Sequence, residues 1–202
     1  MAFDFFRRKK LDPEIAARVP PGQSITEKWP VLHYGGVPNV SRDRWSLRIS
    51  GLIDQEPLTL TFADLLAIPQ TTITRDIHCV TRWTRLDTEF EGVLFTDLMQ
   101  QVRLKPEAGY VVIHAEHNYT TNLALDDLLE PGVMIAHKAD GKDLEPQHGG
   151  PVRLVVPHLY FWKSAKWLTG IEFVDRDTPG FWENYGYHMR GDPWQEQRYS
   201  AD

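Results

Sequence analysis

Large apolar and polar residues alternate through Trp45-Ser-Leu-Arg-Ile-Ser50, the two-residue period of a strand with one buried face. Gly51 and Asp54 mark a turn, and Leu58-Thr-Leu60 resumes the alternation, so a hairpin is predicted. Thr61-Phe-Ala-Asp64 then has the form of a helix start. Its hydroxyl and carboxylate serve free backbone N–H groups ahead of Leu65-Leu66, and Pro69 stops the helix. The same apolar–aspartate pattern returns in Phe95-Thr-Asp-Leu-Met99 and Leu125-Asp-Asp-Leu-Leu129, predicting two further short helices. Strands are expected at Thr72–Ile77, Tyr110–His114, Val133–His137, Val152–Val156 and Ile171–Val174. Long irregular joins such as Asp140–Gly150 argue against a regular parallel βαβ array and for a mixed-sheet α+β domain.

The two ends carry different patterns. Residues 11–44 hold Pro13, Pro20, Pro21, Pro30 and Pro38 with Gly22, Gly35 and Gly36, so that segment should wrap the surface with short elements. The last 25 residues include Phe181, Trp182, Tyr185, Tyr187, Trp194 and Tyr199, too many aromatics for a free tail, and are expected to fold back onto the body. At the start, Phe3, Phe5 and Phe6 precede Arg7-Arg-Lys-Lys10, the reverse of a secretory signal. This reads as a solvated basic stretch, with membrane-surface contact as the alternative. No apolar run approaches spanning length, and the expected location is cytoplasmic. Residues 1–28 are read as an extension and 29–202 as one domain.

With 42% hydrophobic and 25% charged residues, the composition is that of an ordinary globular protein. A net charge of −6 argues against nucleic-acid binding, which needs a basic face. Against that acidic background, Arg82, Arg85, Arg153, Lys163 and Lys166 cluster near unusual motifs, so an anion pocket is expected.

Cys79 is the single cysteine, in His78-Cys-Val-Thr-Arg82-Trp83, and no internal disulfide is possible. Neighbouring His78, Arg82 and Arg85 should favour the thiolate, which attacks electrophiles or binds soft metals. In His148-Gly-Gly-Pro-Val-Arg153 the glycines allow close backbone approach, and Arg153 offers a planar fork of donors. Lys163 and Lys166, in Tyr160-Phe-Trp-Lys163-Ser-Ala-Lys166-Trp167, are three apart and would share one face of a helical turn. His33 lies in Val31-Leu-His33-Tyr-Gly-Gly36. Three other readings stay open at this point. One is a cysteine-dependent hydrolase using Cys79 and a base such as His148; another is a zinc site from His114, His117 and His137; the third is a non-catalytic cofactor- or metal-binding module.

The stretches Pro30-Val-Leu-His33, Trp45-Ser-Leu-Arg-Ile-Ser-Gly51, His78-Cys-Val-Thr-Arg-Trp83, His148-Gly-Gly-Pro-Val-Arg-Leu-Val-Val-Pro157 and Lys163-Ser-Ala-Lys-Trp167, in this order, resemble the oxidoreductase molybdopterin-binding domain. Sulfite oxidases and bacterial methionine-sulfoxide reductase catalytic subunits share that core. The resemblance runs from about Trp29 to Tyr199. It implies a sulfite-oxidase-type fold, a molybdenum–pyranopterin cofactor, and oxygen-atom transfer on a small oxo substrate such as a sulfite-like anion, a sulfoxide or an N-oxide. It places molybdenum on Cys79 and cofactor contacts on His33, His148, Arg153, Lys163, Ser164 and Lys166. Arg82, three residues after the ligand, is expected to face the open metal position and recruit an anionic substrate. With neither a Cys-x-x-Cys-His motif nor a second cysteine in these 202 residues, electrons are expected to pass through a separate partner.

Overall fold

The computed structural model describes residues 11–202; the Phe3–Lys10 stretch, with its solvated-tail and membrane-contact readings, lies outside the described residues. A short helix α1 (Pro13–Ala16) and strand β1 (Ser24–Ile25) lead into β2 (Ser46–Gly51), β3 (Leu58–Thr61) and α2 (Phe62–Ala67). Next come β4 (Thr71–His78), β5 (Trp83–Leu94), α3 (Phe95–Leu98), β6 (Tyr110–Ala115), β7 (Tyr119–Ala124) and α4 (Leu125–Leu129). Strands β8 (Met134–Ala139), β9 (Lys142–Asp143), β10 (Arg153–Val155) and β11 (Leu168–Val174) precede α5 (Phe181–Asn184).

Two mixed sheets result. In one, β5 pairs antiparallel with β4 and β8 and parallel with β1, while β8 also carries β9 and β10. The other runs β3-β2-β11-β6-β7, with β2 and β11 parallel and the remaining pairs antiparallel. The expected hairpin is present, with Ser46 opposite Thr61. The Thr61 box forms as predicted, Thr61 Oγ1 accepting from the Asp64 N–H while the Asp64 carboxylate accepts from the Thr61 N–H. Neither α3 nor α4 has such a side-chain cap.

The sheets face each other across a shared core. Leu47, Ile49, Ile113, Ile171 and Phe173 from one sheet pack with Val93, Ile135 and Leu154 from the other. Since successive strand residues point to opposite faces, the intervening Met134, Ala136 and Val155 build a second cluster on the far side with Ile77, Phe90 and Phe161. Trp29 and Trp83 pack against that second cluster, and the functional cavity opens beside it. Where β5 crosses β8, Gly92 sits so close to Ile135 that any Cβ would collide with its backbone.

Both ends of the described chain are bound to this body. Arg18 grips Asp76 through Nε at 2.9 Å and Nη2 at 2.6 Å, and Gln23 Nε2 donates to the Cys79 carbonyl at 3.1 Å. The aromatic carboxy-terminal segment folds back as expected, Trp182 stacking on Tyr187 with centroids 5.1 Å apart and Tyr187 meeting Tyr199 edge-on.

Candidate active site

The Cys79 loop is built from backbone. At the end of β4, Cys79 N–H donates to Trp83 O at 2.9 Å, and Arg82 N–H donates back to Cys79 O at 3.0 Å. Arg82 closes the turn with φ of 73°, a left-handed conformation that non-glycine residues adopt at a cost. Two distant residues fix the same loop from outside: Gln23 on the Cys79 carbonyl, and Arg198 Nη1 on the Val80 carbonyl at 2.7 Å. Thr81 Oγ1 donates to the sulfur at 3.1 Å.

Cys79 opens into a cavity of about 300 Å³. Of the residues singled out in the sequence, His33, Cys79, Arg153, Ser164 and Lys166 line it. Trp29, Tyr119, Trp162, Trp182 and Tyr187 complete much of the wall. No spacing rule pointed to these aromatics, because they come from elements far apart in the chain; the only signal was the density of Trp and Tyr near the carboxy terminus.

The charges are distributed differently from the sequence expectation. Burial pushes the Cys79 thiol up, and the cations that pull it back toward ionisation are Arg198 and Lys166. His78 cannot assist: burial lowers its pKa to about 4, and its Nδ1 shares a hydrogen bond with Thr84 Oγ1. Arg85 turns away to Asp140 at 2.6 Å and Thr88 at 2.9 Å. Proximity in sequence was a poor guide because residues on a strand alternate between its faces.

Arg153 is 1% exposed, and burial lowers its pKa to about 9. Its fork donates to the carbonyls of His148 and Ser164, each at 2.7 Å, and its guanidinium carbon lies 4.2 Å from the Phe161 ring centroid. Lys166 donates to the carbonyls of Leu32 and Gln147, each at 2.8 Å, and burial brings its pKa down to about 7. Among the ion pairs of the described residues, neither Arg153 nor Lys166 has a carboxylate partner. Two cations on one cavity wall with no counter-charge make a site for an anion.

Three sequence expectations place residues elsewhere. Lys163 and Lys166 do not share a face. The turn closed by Lys163 N–H to Tyr160 O and Ser164 N–H to Phe161 O ends before Lys166. Lys163 is fully buried against Asn122, Glu183 and Met189 and does not line the cavity. Arg82 is also absent from the cavity wall; its guanidinium lies over Gly22, beside Glu196 and Arg198. His148 sits behind the wall, stacked on Trp29 with centroids 4.2 Å apart. His33 stays on the rim, its Nδ1 hydrogen-bonded to the Gly35 carbonyl at 2.9 Å.

The geometry also weighs the competing readings. The side chain that hydrogen-bonds the sulfur is Thr81, so among the described residues no histidine stands as the base a cysteine hydrolase needs. His114 bonds Glu172, His117 bonds the Gly36 carbonyl and His137 bonds Gln70. No group of three or more potential metal-ligating side chains converges among the described residues.

A mixed-sheet α+β domain with one thiol and two uncompensated cations around an aromatic cavity has the form of a domain that binds a flat, anionic cofactor. Residues 34–182 match the family model for the oxidoreductase molybdopterin binding domain, and the chain belongs to that family. It is a molybdopterin-binding oxidoreductase domain, and molybdenum–molybdopterin is the family's cofactor. The chain is 51% identical over 195 residues to the uncharacterized oxidoreductase YuiH of Bacillus subtilis (strain 168), covering 96% of this chain and 98% of that one. It is 30% identical over 186 residues to the putative protein-methionine-sulfoxide reductase subunit YedZ1 of Azospira oryzae, covering 90% of this chain and 70% of the other. The sulfane dehydrogenase SoxCD of Paracoccus pantotrophus has a similar fold, with a TM-score of 0.66 at 23% identity over 87% of this chain and 56% of that one.

The residues present fit the cofactor. Cys79 supplies a soft donor on the cavity wall, and a bound metal would remove its proton against the effect of burial. Arg153 and Lys166 lack the anion that a pterin phosphate would bring, and the tryptophan-rich wall suits a flat ring system.

Proposed function

We propose that this protein reduces a small sulfoxide by oxygen-atom transfer, with Cys79 as the protein ligand to molybdenum. The observation that carries the reading is the Cys79 thiol sharing one cavity with two cations, the buried Arg153 and the half-buried Lys166, neither with a carboxylate partner. When bound, the molybdenum–pyranopterin supplies the two-electron oxygen-atom exchange. In this reading Arg153 and Lys166 hold the phosphate, Ser164 presents its backbone to Arg153, and His33 and His148 support the pterin from the rim and from behind Trp29.

The aromatic wall excludes water and shapes the space left for substrate. Tyr119 is occupied, its hydroxyl donating to the Trp162 carbonyl at 2.7 Å. Tyr187 lines the cavity, and burial raises its pKa, so it keeps its proton at neutral pH and can donate to a substrate oxygen. Reducing a sulfoxide to sulfide and water consumes two electrons and two protons. In this reading the electrons arrive through a redox partner, in keeping with the single cysteine of these 202 residues, which cannot by itself ligate an iron–sulfur cluster. The sulfoxide assignment draws on the similarity to the putative protein-methionine-sulfoxide reductase subunit YedZ1; Arg82 gains no support as a substrate recruiter from its position.

Residues 29–202 form the catalytic domain in this proposal, with 1–28 as an extension that adds β1 to a sheet. The cytoplasm remains the proposed compartment, consistent with a chain that cannot form an internal disulfide. Separately, no helix among the described residues is long and apolar enough to cross a membrane.

The test is elemental analysis of protein from a molybdate-replete host, with oxidative release of the pterin, followed by assays with reduced methyl viologen. Near-stoichiometric molybdenum and pterin, and turnover of methionine sulfoxide faster than of trimethylamine N-oxide, are expected. Sulfite-dependent ferricyanide reduction as the dominant activity, or absence of molybdenum, would overturn the proposal.

A further inference from the structure

Lys163 and Glu183 form an ion pair of 2.6 Å in which both side chains are 0% exposed. The ammonium has three protons and meets four acceptors: Asn122 O at 2.9 Å, Asn122 Oδ1 at 2.7 Å, Glu183 Oε1 at 2.6 Å and Met189 O at 2.6 Å. Every proton is engaged, so no donor remains for a ligand. Glu183 Oε1 also accepts from Trp162 Nε1 at 2.8 Å and Thr121 Oγ1 at 3.2 Å. The ammonium therefore ties β7 to two points of the carboxy-terminal segment six residues apart in sequence, Glu183 and Met189.

Trp182 and Tyr187 are held by these tie points, Trp182 beside the first and Tyr187 between the two. They stack with planes 20° apart, and both line the cavity. Tyr187 also meets Trp162 edge-on at 5.1 Å. We propose that Lys163 is a positioning residue whose contacts with Glu183 and Met189 hold Trp182 and Tyr187 in the cavity wall, and so set how substrate is bound, rather than a cofactor ligand. A buried charge satisfied on all sides fixes one arrangement, because any displacement leaves a desolvated ammonium unpaired.

The cavity's catalytic use rests on the function proposed above, but the clamp does not. The test compares Lys163→Met with Glu183→Gln in the full chain, measuring pterin and molybdenum content, near-ultraviolet circular dichroism of the stacked pair, hydrogen exchange over residues 182–190, and KM and kcat for methionine sulfoxide. In both variants the pterin content should match wild type, the near-ultraviolet signal should fall and exchange over 182–190 should rise. KM should increase roughly tenfold, the scale of one lost charge-assisted contact, in Lys163→Met and less in Glu183→Gln. Loss of pterin in Lys163→Met with full retention in Glu183→Gln would overturn the inference in favour of a phosphate ligand. Wild-type spectra and exchange in both variants would overturn it in favour of a passive buried pair. If Lys163→Met does not fold, Glu183→Gln decides by the same spectral and exchange readouts. Wild-type protein lacking pterin would defeat the functional proposal alone, since those two readouts report on the clamp without the cofactor.

Discussion

The imidazole of His148 lies against the indole of Trp29, ring centroids 4.2 Å apart and planes 17° from parallel. Burial, with Lys166 and Arg153 adding charge, lowers the His148 pKa to about 4 from the ordinary 6.5. Between those values the unfolded chain binds more protons than the folded one, so this contribution is present above pH 6.5 and lost as pH falls toward 4. The urea midpoint of apoprotein should therefore drop across that window, less steeply in His148→Asn. Equal slopes for the two proteins would show that His148 titrates normally.

Arg153 and Lys166 should separate stability from cofactor retention. Arg153→Ala leaves the buried carbonyl of Ser164 and the half-buried carbonyl of His148 without their donor, at a cost of about 1–3 kcal/mol for the buried group and less for the other, and also removes an anion contact. Lys166→Ala frees carbonyls in more exposed surroundings, so stability should change little. Each variant should retain pterin roughly tenfold to a hundredfold less tightly, for about 1.5–3 kcal/mol per charged hydrogen bond. Thermal melts beside pterin fluorescence after gel filtration distinguish the two effects.

Lys166 also predicts a pH dependence. With a pKa of about 7 in the protein alone, against 10.5 unfolded, it is protonated in the unfolded chain and neutral in the folded one between those values. Apoprotein stability should rise with pH over that window, while a phosphate that favours the ammonium should bind more weakly. Pterin dissociation that accelerates above pH 7 in wild type, but not in Lys166→Met, would show this linkage.

Cys79→Ser should keep the fold and lose turnover, because a hydroxyl is a harder and less ionised donor than a thiolate. Thr81 Oγ1 can still donate to the new oxygen, so a Tm shift of only a few degrees is expected. Molybdenum X-ray absorption should lose one sulfur neighbour; an unchanged sulfur count would exclude Cys79 as a ligand.

Arg198→Gln should disturb the Cys79 loop more than Arg82→Gln does. Arg198 is 4% exposed and holds the Val80 carbonyl, whereas Arg82 lies outside the cavity. Arg198 also favours the thiolate, so alkylation of Cys79 in apoprotein should slow in Arg198→Gln and stay near wild type in Arg82→Gln, measured with iodoacetamide at fixed pH.

Much of the scaffold was legible because its signals are local. The Thr61–Asp64 box and the hairpin before it depend on residues within reach of each other along the chain. The long strand β5 was not legible. Its buried positions include Thr84 and Thr88, both 0% exposed, so the hydrophobic alternation is masked, and Asp87 interrupts it with φ of 51°. Strand β7 is similarly concealed, its buried positions including Thr121 and Asn122.

The sequence by itself determined the single thiol, the order of the basic motifs around it and the alternation that drives two sheets together. It could not decide which cations face the cavity. Lys163 and Lys166 are three residues apart, yet a turn ending at Ser164 sends one inward, its three protons all engaged by Asn122, Glu183 and Met189, and leaves the other beside Cys79. Arg198, far along the chain, reaches the Cys79 loop, while Arg82, three residues away, does not enter the cavity. Local periodicity fixes which face a side chain takes; the packing of distant segments fixes what that face meets, and the electrostatics of the thiol follow from the latter.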